Sequence, residues 1–344
     1  MEDAPNFWKS RSAVGLWLLA VALVILGMII VGGLTRLTGS GLSITEWQPI
    51  MGALPPLNKA AWAEAFAKYQ RIPQYTLENH GMSLRAFKHI FWWEWSHRLL
   101  GRMLGVVFFV PFVWFAATGA IRRSEWPRFV LLFALGGLQG FIGWWMVTSG
   151  LETRVSVSQY RLAVHLGAAL LLLMAIVWIA LEYLRGGKST GLSKRASAFV
   201  VLVYCQMLLG ALVAGLHAGL VYNTWPDMNG NLFPESPFFA APWWINLFEN
   251  YGLVQFDHRI GAYAVAAFAA WVYVQGIKLT GYAMTSAKLI AVITCVQIFL
   301  GISTLLLMVP VWLSALHQIT AAALLCAAVW HAYELRIHPA IRAG

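Results

Sequence analysis

Apolar residues dominate this chain in eight stretches, each long enough to cross roughly 30 Å of hydrocarbon at about 1.5 Å per helical residue. They lie at 13–35, 91–117, 127–148, 162–182, 197–216, 254–275, 287–309 and 312–333. The pattern predicts an all-α integral membrane protein with eight transmembrane helices. Two polar gaps are long, 36–90 and 217–253. Within the first, NKAAWAEAFAKYQ from Asn58 to Gln70 offers an Asn58 cap, puts Trp62, Phe66 and Tyr69 on one helical face, and sets Glu64 and Lys68 at i,i+4 on the other. This predicts a short helix resting on the outer interface, with a substrate lid as the alternative. The second gap carries Trp225, Pro226, Pro234, Pro237, Pro242, Trp243 and Trp244, the composition of an ordered aromatic cap.

Composition agrees: the 344 residues are 60% hydrophobic and only 11% charged, with a mean hydropathy of +0.67. The net charge of +10 would suggest a nucleic-acid partner in a soluble chain, but here the cations sit mainly between the apolar runs, where they orient the spans. Arg122, Arg123 and Arg128 follow the second run; Arg185, Lys188, Lys194 and Arg195 follow the fourth; Lys278 and Lys288 flank the connection after the sixth. The opposite side has Arg154 and Arg161 in its short connections; its long first loop carries several cations, but long loops count little toward orientation. The positive-inside rule therefore places both termini in the cytoplasm. The first run has no small-residue cleavage site and reads as a retained span. Cys205, Cys295 and Cys326 fall inside apolar runs without ligand spacing, which points to neither a disulfide framework nor a zinc site.

The chain also resembles itself. Gln139-x-x-x-Gly143 matches Gln297-x-x-x-Gly301, Gly27 and Gly32 match Gly210 and Gly215, and LAVHLGAALLL aligns with LSALHQITAAALL. Four spans are duplicated as four more. Four is even, so both copies enter the membrane the same way, and two tandem four-helix bundles related by a pseudo-twofold along the membrane normal are expected. The halves are 1–196 and 197–344.

Four of nine histidines sit early in helices that descend from the outer face: His97, His165, His258 and His317. His97 and His165 share a depth in the first half, as His258 and His317 do in the second. Two facing imidazoles at one level of a bundle suit the axial positions of a haem iron. A lone intramembrane histidine is as well read as a hydrogen-bond or proton-path residue; four in duplicated pairs favour ligation. His80, His89, His217, His331 and His338 lack the paired pattern and read as structural or solvated.

Arg98 and Arg259 follow ligand histidines directly, and Arg102 lies a turn beyond Arg98. Each offers a fork for a haem propionate, or snorkels to lipid phosphate; Arg36 could serve similarly. Aligning His97 with His258 sets Glu94 against Gln255, so only the first half has a carboxylate one turn before its histidine. Glu94 either pairs with Arg98 at i,i+4 or handles protons beside a haem during oxidation at the ring edge.

The elements EWSHRLLGR, GGLTRLTGSGLSITEWQP and FDHRIGAY, with the paired histidines of spans four and eight, resemble haem A synthase along essentially all of the chain, and within it the mitochondrial and alphaproteobacterial branch. The resemblance implies a bacterial inner-membrane enzyme that oxidises a ring methyl of haem O to a formyl group, through a hydroxymethyl intermediate, for cytochrome oxidase. It assigns substrate haem binding to the half with His97, His165, Arg98 and Arg102, a haem b cofactor to the half with His258, His317 and Arg259, and catalysis to Glu94. It also suggests haem O synthase and oxidase assembly factors as partners, and leaves the electron-transfer partner open. The outer-loop cysteine pair of some bacterial members is missing here. A dihaem b-type electron-transfer protein, or a haem transporter, is the rival reading.

Overall fold

The computed structural model describes residues 10–186, 191 and 193–337; Lys188 and His338 lie outside them. Its helices, in chain order, are α1 (Arg11–Leu37), α2 (Lys59–Tyr69), α3 (Pro73–Leu77), α4 (Leu84–Ala117), α5 (Trp126–Thr148), α6 (Gln159–Arg185), α7 (Lys194–Gly215), α8 (Asn246–Glu249), α9 (Tyr251–Gly276), α10 (Gly281–Leu306) and α11 (Val311–Ile337). Seven segments are long and apolar enough to cross a membrane: α1, α4, α5 with the 3₁₀ turn before it, α6, α7, α10 and α11. The protein is a multi-pass membrane protein. The sequence predicts eight spans, and the missing one corresponds to α9. That helix has 26 residues, enough length, but Gln255, Asp257, His258 and Arg259 in its first turns leave it without a sufficiently apolar stretch.

Local chemistry sets the helix ends. Ser83 caps α4 by accepting from Ala86 N at 3.2 Å, so α4 starts seven residues before its predicted position at 91. Those extra turns have a purpose: Phe87 and Phe91 join Leu42, Trp62, Tyr69, Ile72 and Val147 in one buried apolar cluster. The predicted short helix is α2. Asn58 Oδ1 caps it through Ala61 N at 2.8 Å, Trp62 and Tyr69 are buried against α4, and Lys68 bridges Glu64 at 2.7 Å and Glu46 at 2.8 Å on the open side. Asn250 caps α9 through Leu253 N at 3.0 Å.

The chain forms two compact units, one of Leu23–Ala168 and one of Ala169–Gly344 with the residues up to Ala22. In the second, α7 packs on α9, α9 on α10, α10 on α11 and α11 back on α7, a closed four-helix bundle. Gly276 makes the α9–α10 approach close, since a Cβ there would overlap the Cβ of Ala287. Toward the far end of α11, Glu334 is fully buried and accepts from Arg185 Nε and Trp330 Nε1, both at 3.0 Å. Arg336 bridges Glu182 at 3.3 Å. His331, read from sequence as structural, is buried with its Nδ1 2.9 Å from Ser286 Oγ. In the Leu23–Ala168 unit α4 packs on α5 and α2, and Thr35 Oγ1 ties α1 to α4 by donating to Trp93 O at 3.3 Å.

Candidate functional site

Each of the four predicted histidines rests its ring on a glycine of a neighbouring helix. An added Cβ would lie 2.8 Å from His97 Cε1 at Gly32, 2.9 Å from His165 Cε1 at Gly143, 3.2 Å from His258 Cε1 at Gly210 and 2.8 Å from His317 Cε1 at Gly301. Hydrogen is the only substituent that leaves these rings where they are, because real Cβ contacts are longer than about 3.4 Å in most cases. All four imidazoles are half-buried. His97 lies within electrostatic reach of His165, and His258 of His317, so each unit brings its own two histidines together. Because α4 begins early, His97 is roughly 20 Å of helix rise from its start, deeper along its helix than predicted.

A second layer holds the rings. Gln139 Nε2 donates to His165 O at 2.8 Å and lies 3.1 Å from His165 Nδ1. Gln206 Nε2 repeats this on His258, at 2.9 Å to the carbonyl and 3.1 Å to Nδ1. Gln297 differs: its Nε2 lies 3.4 Å from His317 Nε2, and the buried His317 Nδ1 has no partner. Every one of these glutamines stands four residues before the glycine that cradles its histidine, one turn away on the same helical face. Sequence pattern picks out Gln139-x-x-x-Gly143 and Gln297-x-x-x-Gly301 but misses Gln206-x-x-x-Gly210. The reason is register: the glycine spacing aligns Gly27 with Gly210, whereas Gly32 and Gly210 share the role. Gly27 has nothing within 4 Å of an added Cβ.

The donor sets suit a haem. Among the described residues no three His, Cys, Asp or Glu gather into a metal-binding cluster, so the imidazoles come in twos, as axial ligation of a planar macrocycle requires. The buried Oε1 atoms of Gln139, Gln206 and Gln297 have no hydrogen-bond partner. An imidazole that ligates through Nε2 carries its proton on Nδ1 and needs a nearby acceptor, which the amides of Gln139 and Gln206, 3.1 Å from Nδ1 of His165 and His258, can supply. Cys205, Cys295 and Cys326 are free thiols.

The polar residues beside the histidines fasten loops. Glu94 is 2% exposed. Its Oε2 accepts from Ser43 Oγ and Ile44 N, both at 2.7 Å. Its Oε1 accepts from Arg98 Nη2 at 2.6 Å and Nε at 3.1 Å. Arg98 also donates to Ile44 O at 2.7 Å and Glu46 O at 2.9 Å. Arg102 donates to Gln48 O and Pro49 O, each at 2.8 Å. In the other unit Gln255 Nε2 donates to Ala218 O at 3.0 Å and Tyr222 O at 3.1 Å. Arg259 donates to Asp227 O at 2.7 Å and to Tyr222 O and Thr224 O at 3.1 Å. The Asp227 carboxyl sits below its usual range, first because the Thr224 hydroxyl donates to it and then because Gly230 N does. Of the arginines proposed for propionates, Arg36 Nη2, Arg102 Nη1 and Arg259 Nε are buried donor atoms without a partner.

Residues 15–329 match the family model described as cytochrome oxidase assembly protein, COX15-CtaA. A heme A synthase of Parvibaculum lavamentivorans is 50% identical over 329 residues, 95% of this chain and 95% of that protein. A heme A synthase of Azorhizobium caulinodans is 51% identical over 340 residues, 97% of each. A heme A synthase of Bradyrhizobium sp. is 48% identical over 336 residues, 95% of this chain and 92% of that protein. With paired histidines set in glycine cradles and matches at this level along nearly its whole length, the chain belongs to the COX15-CtaA family of cytochrome oxidase assembly proteins.

Proposed function

We propose that this protein is a haem A synthase, oxidising a ring methyl of haem O to the formyl group of haem A through a hydroxymethyl intermediate. The observation that carries the reading is the set of four histidine–glycine cradles, two in each compact unit, in a chain about half identical to heme A synthases of other bacteria. Conversion of CH3 to CHO replaces two hydrogens by one oxygen and removes four electrons, so the site must hold the substrate, take up protons and pass electrons away.

The chain's residues divide that work. His97 and His165 hold the substrate haem in the half 1–196, and His258 and His317 hold a haem b in the half 197–344. A bound haem b would supply one-electron transfer at its iron. Arg98, Arg102 and Arg259, with Arg36, offer cationic donors toward propionates. The unpartnered nitrogens of Arg36, Arg102 and Arg259 support this most, since the other donors of Arg102 and Arg259 are already committed to loop carbonyls. Glu94 is the group in the first half that can accept protons from the oxidised methyl. Its four hydrogen bonds mean that it must exchange one of its present donors to do so. We further infer that α9 is an eighth span, that the two halves are tandem four-helix bundles, and that the protein sits in the bacterial inner membrane with both termini cytoplasmic. Haem O synthase and oxidase assembly factors are the expected partners.

The test is chromatography of acid-acetone-extracted haems from membranes that express this chain with a haem O synthase. Haem A, or its hydroxymethyl precursor, should appear only when the chain is present. Unchanged haem O, with haem b on the purified protein, would instead favour a dihaem electron-transfer protein.

A further inference from the structure

Three of the four histidine-facing helices carry a glutamine one turn before the cradling glycine; the fourth carries Met28 before Gly32. Met28 reaches the helix of His97. Its Cε lies 3.6 Å from the position of a Cβ on Gly101 of α4, the helix of His97. His97 Nδ1 is buried and has no hydrogen-bond partner. A thioether is at best a weak acceptor and donates nothing, so Met28 can give His97 neither the contact to its ring nitrogen nor the contact to its backbone carbonyl that Gln139 gives His165.

Partners of this kind fix the rotation of a ligating imidazole and raise its basicity, and losing one costs about 10- to 100-fold in metal affinity. The first pair therefore combines one histidine held at two points, His165, with one held at none. The second combines His258, held at two points, with His317, whose Nδ1 is also buried without a partner but which has the Gln297 amide at hand, Nε2 to Nε2 at 3.4 Å, as His97 has none. We propose that Met28 makes His97 the exchangeable ligand of the first pair, so that a haem there is kept by His165 and released through the His97 side. This rests on the haem-binding reading above, and it gives an enzyme acting on haem a ligand that can let its haem go. Met28 acts through His97 and is a positioning residue.

The test uses the full-length chain in detergent, loaded with ferric haem b, and follows transfer of haem to excess apomyoglobin. The wild type should lose haem in two phases, the faster from the first pair. Met28→Gln should slow the fast phase by about 10- to 100-fold and shift the ferric spectrum of that haem toward the low-spin bis-imidazole form. Gln206→Met should accelerate the slow phase, and Gln139→Met should accelerate the fast one further. A fast phase and spin state unchanged in Met28→Gln, or a slow phase unchanged in Gln206→Met, would overturn the proposal. The underlying reading fails separately and visibly: a His97→Ala/His165→Ala variant that keeps both phases would show that the first pair holds no haem at all.

Discussion

Glu94 and Gln255 occupy the same place one turn before a histidine, and they do the same mechanical job with opposite polarity. Glu94 is an acceptor gripping loop donors, Ser43 Oγ and Ile44 N. Gln255 is a donor gripping loop carbonyls, Ala218 O and Tyr222 O. Each also meets the arginine one turn later, Arg98 at 2.6 Å and Arg259 at 3.4 Å. The difference teaches that fastening a loop does not by itself require a charge, because the amide of Gln255 does it as well. A buried carboxylate–guanidinium pair is costly to desolvate and is weak evidence for stability alone. That the first unit carries one beside His97 while the second manages with an amide is what a site that moves protons would need.

Exchanging the two residues breaks the comparison most severely. Glu94→Gln leaves Arg98 without its anion and sets an amide NH2 against a guanidinium, at a cost of about 3 kcal/mol. The thermal transition of the purified protein should fall, and haem A formation should be lost while haem b content holds. Gln255→Glu turns two donated hydrogen bonds into a carboxylate facing two carbonyls, partly offset by Arg259, for about 1–2 kcal/mol. Its haem A yield should exceed that of Glu94→Gln. Normal haem A from Glu94→Gln would remove its chemical role.

Alanine in the cradles sharpens the comparison at the next level. At Gly32, Gly143 or Gly301 the new methyl lies 2.8–2.9 Å from an imidazole. It displaces the ring, an overpacking of about 1–3 kcal/mol that should appear as lost haem absorbance in the corresponding half. At Gly210 the separation is 3.2 Å, and the loss should be mildest.

The smallest effect concerns the loop over α9. Asp227 has a folded pKa below its ordinary 3.8, so its contribution is fully present above that value and fades as pH falls through the folded one. Hydrogen exchange in 218–230 should be faster in Asp227→Asn than in the wild type at neutral pH. The two should converge in strong acid, with no change around Ser43.

Much of this was legible from the chain. The four histidines stood out because imidazoles are rare in apolar runs and these recur in pairs, and α2 was visible from its cap and aromatic face. What the sequence concealed depends on distances. Two glycines five residues apart look alike until an added Cβ on one is seen to fall 2.8 Å from a ring, so the sequence pattern cannot choose Gly32 over Gly27 or single out Gln206 and Met28. The start of α4 was missed because Arg85 and Lys88 interrupt the apolar run, although Phe87 is buried. The sequence points Arg98, Arg102 and Arg259 toward propionates or lipid, whereas their bonds to loop carbonyls involve residues more than thirty positions away, beyond any local pattern.

The most direct measurement is the haem content of purified His97→Ala and His258→Ala proteins beside the wild type. The account predicts that the haem b surviving purification disappears in His258→Ala and remains in His97→Ala, which alone fails to retain added haem O. Loss of the surviving haem in His97→Ala, with retention in His258→Ala, would contradict the assignment of a resident haem to one unit and a substrate haem to the other.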